Sequence, residues 1–436
     1  MPRKCILILL DGIGDRSHAQ LDFQTPLQAA KTPSLDRMAA LGANGLYHAW
    51  AQGQALSSED AHFAMFGYER SDFPGRGALE ALGAGISLNS GDVAVLAHVA
   101  TVRETDGCLV LEDGKPGATA EEAEVIGREI GEYETHGVRF RFVRTKGLNG
   151  ILILSGNVVP QITDTDPVRN GRTLSAVKPW QESGTDPAAQ NTATALTAYL
   201  TWVYHRLRSH PLNRPRVACG MRPLNALVTQ RAGGLKPVSP FSKRYGLKGL
   251  SISSGIVYAG LSACLGLDHC TASDTSDPAG DMAERLVAAG AALGGYDFIH
   301  VHTKYADEAG HARDPRRKLE VIEALDRGIA SAIGPLMDDP DLLLIVTADH
   351  STPSSGSLIH SGETIPLTIY GEGVRRDSVQ RFDEVSAAAG VLGSVRGKEL
   401  MYLVLNHLER AKLQSLMDTP FDQPFWPGDY EPFRVG

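Results

Sequence analysis

The chain has 436 residues, 42% hydrophobic and 21% charged, with a formal charge of −9 and a pI near 5.9. That length predicts two or three domains, and the acidic balance excludes nucleic acid or an anionic membrane as the main partner. No apolar run approaches the roughly 18 residues of a membrane-spanning helix, and the five cysteines, odd in number and without CxxC spacing, predict reduced thiols in a cytoplasmic protein.

Residues 5–10 form a continuous apolar run, predicted to be a buried parallel strand. The run is too short for a secretory leader because Asp11 ends it. Asp11-Gly12-Ile13-Gly14-Asp15 follows as a turn, and on its own Asp11 reads as a turn residue. Thr25-Pro26 and Thr32-Pro33 open helices, each with proline just inside the start. Ser57-Ser58-Glu59-Asp60 before an apolar-periodic run predicts a capped helix start. Either serine there serves as a cap or as a nucleophile beside free backbone N–H groups, and composition does not choose between them. Residues 75–85 are glycine-rich but lack GxGxxG and a preceding strand, so they fail as a dinucleotide fingerprint and predict turns and close packing.

From about Asp92 strand-like pieces (residues 93–102, 138–143 and 151–154) alternate with polar helix candidates (119–134 and 191–209), which predicts an inserted second domain. Apolar strands return from Asn225, with a strand at 250–252, a small-residue helix at 256–265 and a loop at 272–280.

Residues 297–311 and 342–350 then carry two apolar strands, each ending in acidic and imidazole groups. Asp307 and His311 are spaced by one helical turn, so both side chains reach one ion if that segment is helical. Asp349-His350 follows a strand directly, where open α/β sheets place their ligands, and His360 is close behind. Carboxylate oxygen with neutral imidazole is ligand chemistry for zinc, manganese or iron. A single Asp-His pair is more often a local hydrogen bond. Several such groups within about sixty residues predict the larger part of a two-metal site.

Asp11-Gly12, the Ser58 segment, residues 75–85, Asp307-Glu308-Ala309-Gly310-His311, Asp349-His350-Ser351-Thr352-Pro353 and His360 occur in an order that resembles the cofactor-independent phosphoglycerate mutases of the alkaline phosphatase superfamily, especially their shorter archaeal-type branch. The resemblance runs from Lys4 to about Leu405. It implies an α/β fold, an alkaline-phosphatase-like doubly wound sheet (residues 1–92 and 222–436) with a smaller inserted α/β substrate domain (93–221). It implies two divalent ions, manganese first and zinc, magnesium or cobalt as alternatives. Asp11, Ser58, Asp349 and His350 would bind one ion; Asp307, His311 and His360 would bind the other. Ser58 takes the nucleophile's place in a segment that the family writes Gly-Ser-Asp-x-Ala-His, with Ser57 for the glycine and Glu59 for the aspartate. Lys304 falls on a catalytic position, and Arg76, Arg231, His98 and Asp164 are the substrate-binding candidates.

The resemblance breaks where the family holds its substrate. An arginine-bearing Arg-x-Asn-Phe-Ala-Thr stretch is here Leu96-Ala97-His98-Val99-Ala100-Thr101, and a second, arginine-rich motif is Glu112-Asp113-Gly114-Lys115-Pro116-Gly117. A Glu-His-Arg becomes Gly147-Leu148-Asn149, and a lysine becomes Ala259. Asp164-Thr165-Asp166-Pro167, His210-Pro211 and Asn225 persist, and Lys146, Arg169, Arg172 and Arg222 are candidate replacements. Arginine is the residue for bidentate recognition of carboxylate and phosphate. Three readings follow: a phosphoglycerate mutase acting through phospho-Ser58, a metal-dependent phosphatase or phosphotransferase on another small phosphorylated or phosphonate-like metabolite, and a binding protein without catalysis. Intact ligand positions weigh against the third. No nucleic-acid or membrane partner is expected.

Overall fold

A computed structural model of the protein describes residues 2–428 and 430–435. The chain divides into two compact units, Met1–Phe73 with Val238–Gly436, and Pro74–Pro237.

The first unit is built on an eight-stranded sheet. In spatial order its strands are Asp268–Thr271, Gly249–Ser253, Phe298–Thr303, Lys4–Leu10, Leu342–Thr347, Ile365–Tyr370, Ala43–His48 and Gly393–Arg396. The first five run parallel, and Ile365–Tyr370 is antiparallel to both of its neighbours. Lys4–Leu10 lies between Phe298–Thr303 and Leu342–Thr347, in register Cys5↔Phe298 and Cys5↔Leu343. These three strands are covered on both faces, which is why they read as unbroken apolar runs rather than alternating ones. Each Leu, Ile or Val side chain buried there contributes about 1.5–3 kcal/mol. Because the three strands are parallel, their C-terminal ends bring Asp11, Lys304 and Asp349 to one edge of the sheet. The helix Pro315–Met337 is set by Asp314, whose carboxylate accepts from the amides of Arg316 and Arg317, and by proline at its first position.

The second unit is a six-stranded antiparallel sheet. Val93–Thr105 pairs with Cys108–Asp113, with Asn149–Ser155 and with Ala226–Gly234; Val138–Lys146 and Glu132–Thr135 continue it. The helix Pro187–Arg208 puts Leu196, Tyr199, Val203 and Leu207 into the core with Val95, Val99, Phe140 and Leu154.

The boundaries differ from the expected 93–221. The helix Arg76–Gly83 packs on Val93–Thr105, with Gly77 so close to the Ala94 carbonyl that a Cβ would collide with it. The strand Ala226–Gly234 pairs with Val93–Thr105, so both flanking segments join the insert. The polar helix expected over 119–134 ends at Glu129. Residues 132–135 turn at His136-Gly137, both at positive φ, and form a hairpin with Val138–Lys146. The 272–280 loop gives way to a helix at Pro278.

Candidate metal centre

Asp11 follows the first strand and is fully buried. Its Oδ2 accepts from the Tyr258 hydroxyl at 2.8 Å and from His302 Nε2 at 3.0 Å, with Lys304 Nζ at 3.4 Å. Its Oδ1 is buried without a hydrogen-bond partner. Asp349, after the third strand, repeats the pattern: Oδ1 accepts from the Gly12 amide at 3.2 Å, and Oδ2 has no hydrogen-bond partner. Asp307 sits on the short helix Tyr305–His311, as its spacing from His311 predicted. Its Oδ1 accepts from the Thr352 hydroxyl at 2.7 Å and lies 3.2 Å from His311 Nε2 and 3.4 Å from His360 Nε2, while Oδ2 is 3.2 Å from Lys304 Nζ.

The side chains form two overlapping groups, Asp11-Asp349-His350 and Asp307-His350-His360, and within each the ligand atoms lie within 4.8 Å of one another. The expected partition put His350 with Asp11, Ser58 and Asp349 alone. In the structure it belongs to both groups, and its ring stacks on His360 at 3.7 Å. His311 touches Asp307 but stands in neither group, with over a third of its side chain exposed.

The two serines separate. Ser57 is the N-cap of the helix Ser58–Met65; its hydroxyl donates to Asp60 Oδ2 at 2.9 Å and accepts from the Asp60 amide. Ser58, one residue on, is buried with Oγ 2.9 Å from His350 Nε2. His62 Nδ1 donates back to the Ser58 carbonyl at 2.7 Å, and burial pushes the His62 imidazole down to about 4.

Burial opposes charge throughout the cluster, yet the charges persist through one another. Lys304 draws Asp11 well below the usual carboxylate range, and His311 and His360 do the same for Asp307. Asp11, Asp307 and Asp349 together raise the Lys304 ammonium, and Asp349 lifts His350 to about 9. Three buried carboxylates thus converge, and Asp11 Oδ1 and Asp349 Oδ2 lie 3.4 and 3.1 Å from His350 Nε2 without a hydrogen-bond partner, an arrangement that fits divalent cations. Oxygen and imidazole donors without thiolate suit manganese, magnesium or zinc.

Sequence reasoning missed Tyr258 and Thr352 as groups that orient ligands. Tyr258 lies in an apolar small-residue helix, where a hydroxyl gives no periodic signal. The substrate-binding candidates lie in the second unit. Arg231, at φ 55°, donates its amide to Asp164 Oδ1 at 2.6 Å. His98 stands 3.9 Å from Asp166. Arg76 pairs with Glu80 along its own helix at 2.6 Å. Lys146, Arg169, Arg172 and Arg222 are all exposed.

A family model described as the metalloenzyme superfamily matches residues 3–407, which sets the class as a metal-dependent enzyme. A 2,3-bisphosphoglycerate-independent phosphoglycerate mutase 2 of Methanocaldococcus jannaschii is 38% identical over 95% of each chain. A 2,3-bisphosphoglycerate-independent phosphoglycerate mutase of Methanopyrus kandleri is 36% identical over 94% of this chain and 97% of its own. Among solved structures, a Pyrococcus horikoshii protein matches with a TM-score of 0.77 at 27% identity, covering 95% of this chain and 99% of that one. A cofactor-independent phosphoglycerate mutase from Thermoplasma acidophilum matches at 0.63 and 28% identity, covering 93% of this chain and all of its own. The chain therefore belongs to the metalloenzyme superfamily and, within it, to the family of 2,3-bisphosphoglycerate-independent phosphoglycerate mutases. The α/β architecture expected from the resemblance is the one observed. Among the described residues no helix is long and apolar enough to cross a membrane.

Proposed function

We propose that this enzyme moves a phosphoryl group between hydroxyls of a small phosphorylated metabolite through phospho-Ser58, with 2- and 3-phosphoglycerate as the first candidates. The observation that carries this is the position of Ser58, whose Oγ lies 2.9 Å from Nε2 of His350, a residue common to both ligand groups. Asp11, Asp349 and His350 would hold one divalent ion and Asp307 and His360 the other, with His311 beside the second; manganese is the first choice. Bound there, such ions lower the pKa of a hydroxyl and stabilise charge on phosphoryl oxygens. The chain's own contribution is to orient. Ser58 presents its hydroxyl from a helix start whose cap Ser57 already occupies, and Lys304 brings a positive charge held between Asp11 and Asp307. In the second unit Arg231, Asp164, His98 and Arg76 are the proposed contacts to substrate.

A second reading is favoured by the substitutions in that unit. Leu96 stands where the resemblance calls for an arginine, Lys115 is the lone cation of residues 112–117, and the replacement candidates are exposed. A charge-assisted contact contributes about 1.5–3 kcal/mol. Loss of two such contacts lowers turnover at low substrate by roughly 10²- to 10⁴-fold, at about 1.4 kcal/mol per tenfold. A loosened clamp would also let the dephosphorylated intermediate escape, so that water takes the phosphoryl group from Ser58 and the enzyme acts as a phosphatase. The deciding experiment is an enolase-coupled assay with 3-phosphoglycerate and Mn²⁺, run beside a panel of phosphate esters. A kcat/KM of about 10⁵ M⁻¹s⁻¹, ordinary for enzymes, supports the mutase and removes the changed-substrate reading. Turnover of another ester with none of phosphoglycerate reverses the choice.

A further inference from the structure

Behind the metal-site loops lies a buried positive charge with no part in the chemistry proposed for Ser58. Lys318, near the start of the helix Pro315–Met337, is fully buried. Its ammonium donates to the carbonyls of Gly14 at 2.8 Å and Thr352 at 2.7 Å, and lies 3.3 Å from Asp15 Oδ2. An ammonium has three protons and no acceptor, so these three partners account for all of it.

Gly14 belongs to the loop that begins at Asp11, and Thr352 to the loop that begins at Asp349-His350. The two loops also touch directly: the Thr352 amide donates to the Gly14 carbonyl at 3.0 Å, and Ser351 bridges to Ile13 and Gly14. Asp15 extends the junction by accepting the Ser354 amide at both oxygens, at 3.1 and 3.0 Å, while its own amide donates to Glu384 Oε1 at 3.1 Å. Both loops reach the ligands in turn. The Gly12 amide donates to Asp349, and the Thr352 hydroxyl donates to Asp307. A relative slide of the loops would therefore move three carboxylates at once.

Packing alone does not call for a lysine here. Burial pushes its pKa down, and an apolar side chain of similar volume fills such a space without a desolvation cost. What an apolar residue cannot do is bond to two carbonyls on separate loops.

We propose that Lys318, paired with Asp15, is a positioning residue for the metal centre, fixing the Asp11 loop against the Asp349-His350 loop at the spacing that forms the two ligand groups. This rests on the metal-centre reading. It concerns groups outside the ligand shell, where partners that orient ligands are typically worth 10–100-fold in metal affinity.

The test uses Lys318→Met and the charge-neutral double variant Lys318→Met/Asp15→Asn. Mn²⁺ affinity is measured by equilibrium dialysis, and folding by the thermal midpoint in chelator. Lys318→Met should bind Mn²⁺ at least tenfold more weakly than the native protein. The double variant, free of an unpaired buried charge, should recover most of the thermal midpoint while its Mn²⁺ affinity stays at least tenfold down. Recovery of affinity together with stability, or native affinity in Lys318→Met, would show a merely structural lysine and overturn the proposal. If the native protein takes up no Mn²⁺, the metal-centre reading fails and takes this one with it; native uptake beside equal uptake by the variants refutes the role of Lys318 alone.

Discussion

The division of labour between Ser57 and Ser58 is the sharpest test of the proposed chemistry, because the two hydroxyls are adjacent in sequence and differ only in where the helix start turns them. Ser57→Ala removes a cap whose hydroxyl contacts Asp60 twice, one of the two contacts being long at 3.4 Å. Cap deletions cost about 0.5–2 kcal/mol, and the long contact puts this one near the lower half, at about 1 kcal/mol or less. In a chain of this size that lowers the thermal midpoint by about 1–2 °C. Turnover should stay within about twofold, since no atom of Ser57 bonds to a ligand group. Ser58→Ala removes a buried hydroxyl at the cluster and leaves the cap intact, so stability should hardly change. If Ser58 carries the phosphoryl group, its loss should cost at least about 10⁴-fold in turnover, as removal of a nucleophile does elsewhere. The assay pairs steady-state turnover with mass spectrometry of acid-quenched enzyme, where phosphate should be found on Ser58 in the native protein and in Ser57→Ala. Phosphate on Ser57, or robust turnover by Ser58→Ala, would refute the reasoning.

Three further outcomes are expected. Asp307→Ala should lower bound metal from two ions per chain to one and abolish nearly all turnover; full activity of this variant in chelator would sink the metal assignment. Tyr258→Phe leaves Asp11 Oδ2 with His302 and Lys304 only, and should weaken Mn²⁺ binding by about tenfold. Native affinity in dialysis would mean that those two suffice. Burial lifts the Glu384 carboxyl to about 7 against the pull of Thr25, Asp15 and Lys318, so its proton is bound more tightly in the folded state. Its contribution to stability is then complete near pH 4 and lost as pH rises through 7. Relative to native protein, Glu384→Gln should gain stability between pH 5 and 8 in chelator urea melts, and parallel pH profiles would contradict this.

Much of the site was legible because its parts sit at strand ends. The apolar runs before Asp11, Lys304 and Asp349 mark strands buried on both faces, and an acidic or basic residue closing such a run has few places to go but the sheet edge. The helix that brings His311 against Asp307 was legible through their spacing, although His311 stands in neither group. His350's place in both groups was not, because it depends on how closely two loops from different strands approach. Tyr258 and Lys318 were hidden for a related reason: each works through a partner more than 240 residues away or through backbone carbonyls, and neither leaves a periodic trace. The domain boundary was misplaced because residues 76–83 and 226–234 carry ordinary helix and strand patterns. Only pairing with Val93–Thr105 assigns them to the insert.

The pairing of Lys4–Leu10 has a consequence for biosynthesis. Its neighbours in the sheet begin at Phe298 and Leu342, so this strand waits for nearly three hundred more residues of synthesis before either edge is satisfied. The insert, whose strands all lie between Val93 and Gly234, can close during that wait. Throughout it the nascent chain displays an unpaired strand that is apolar from Cys5 to Leu10, the kind of segment that aggregates or recruits a chaperone. Asp11, charged and placed directly after that run, is the kind of residue that guards such a segment against association.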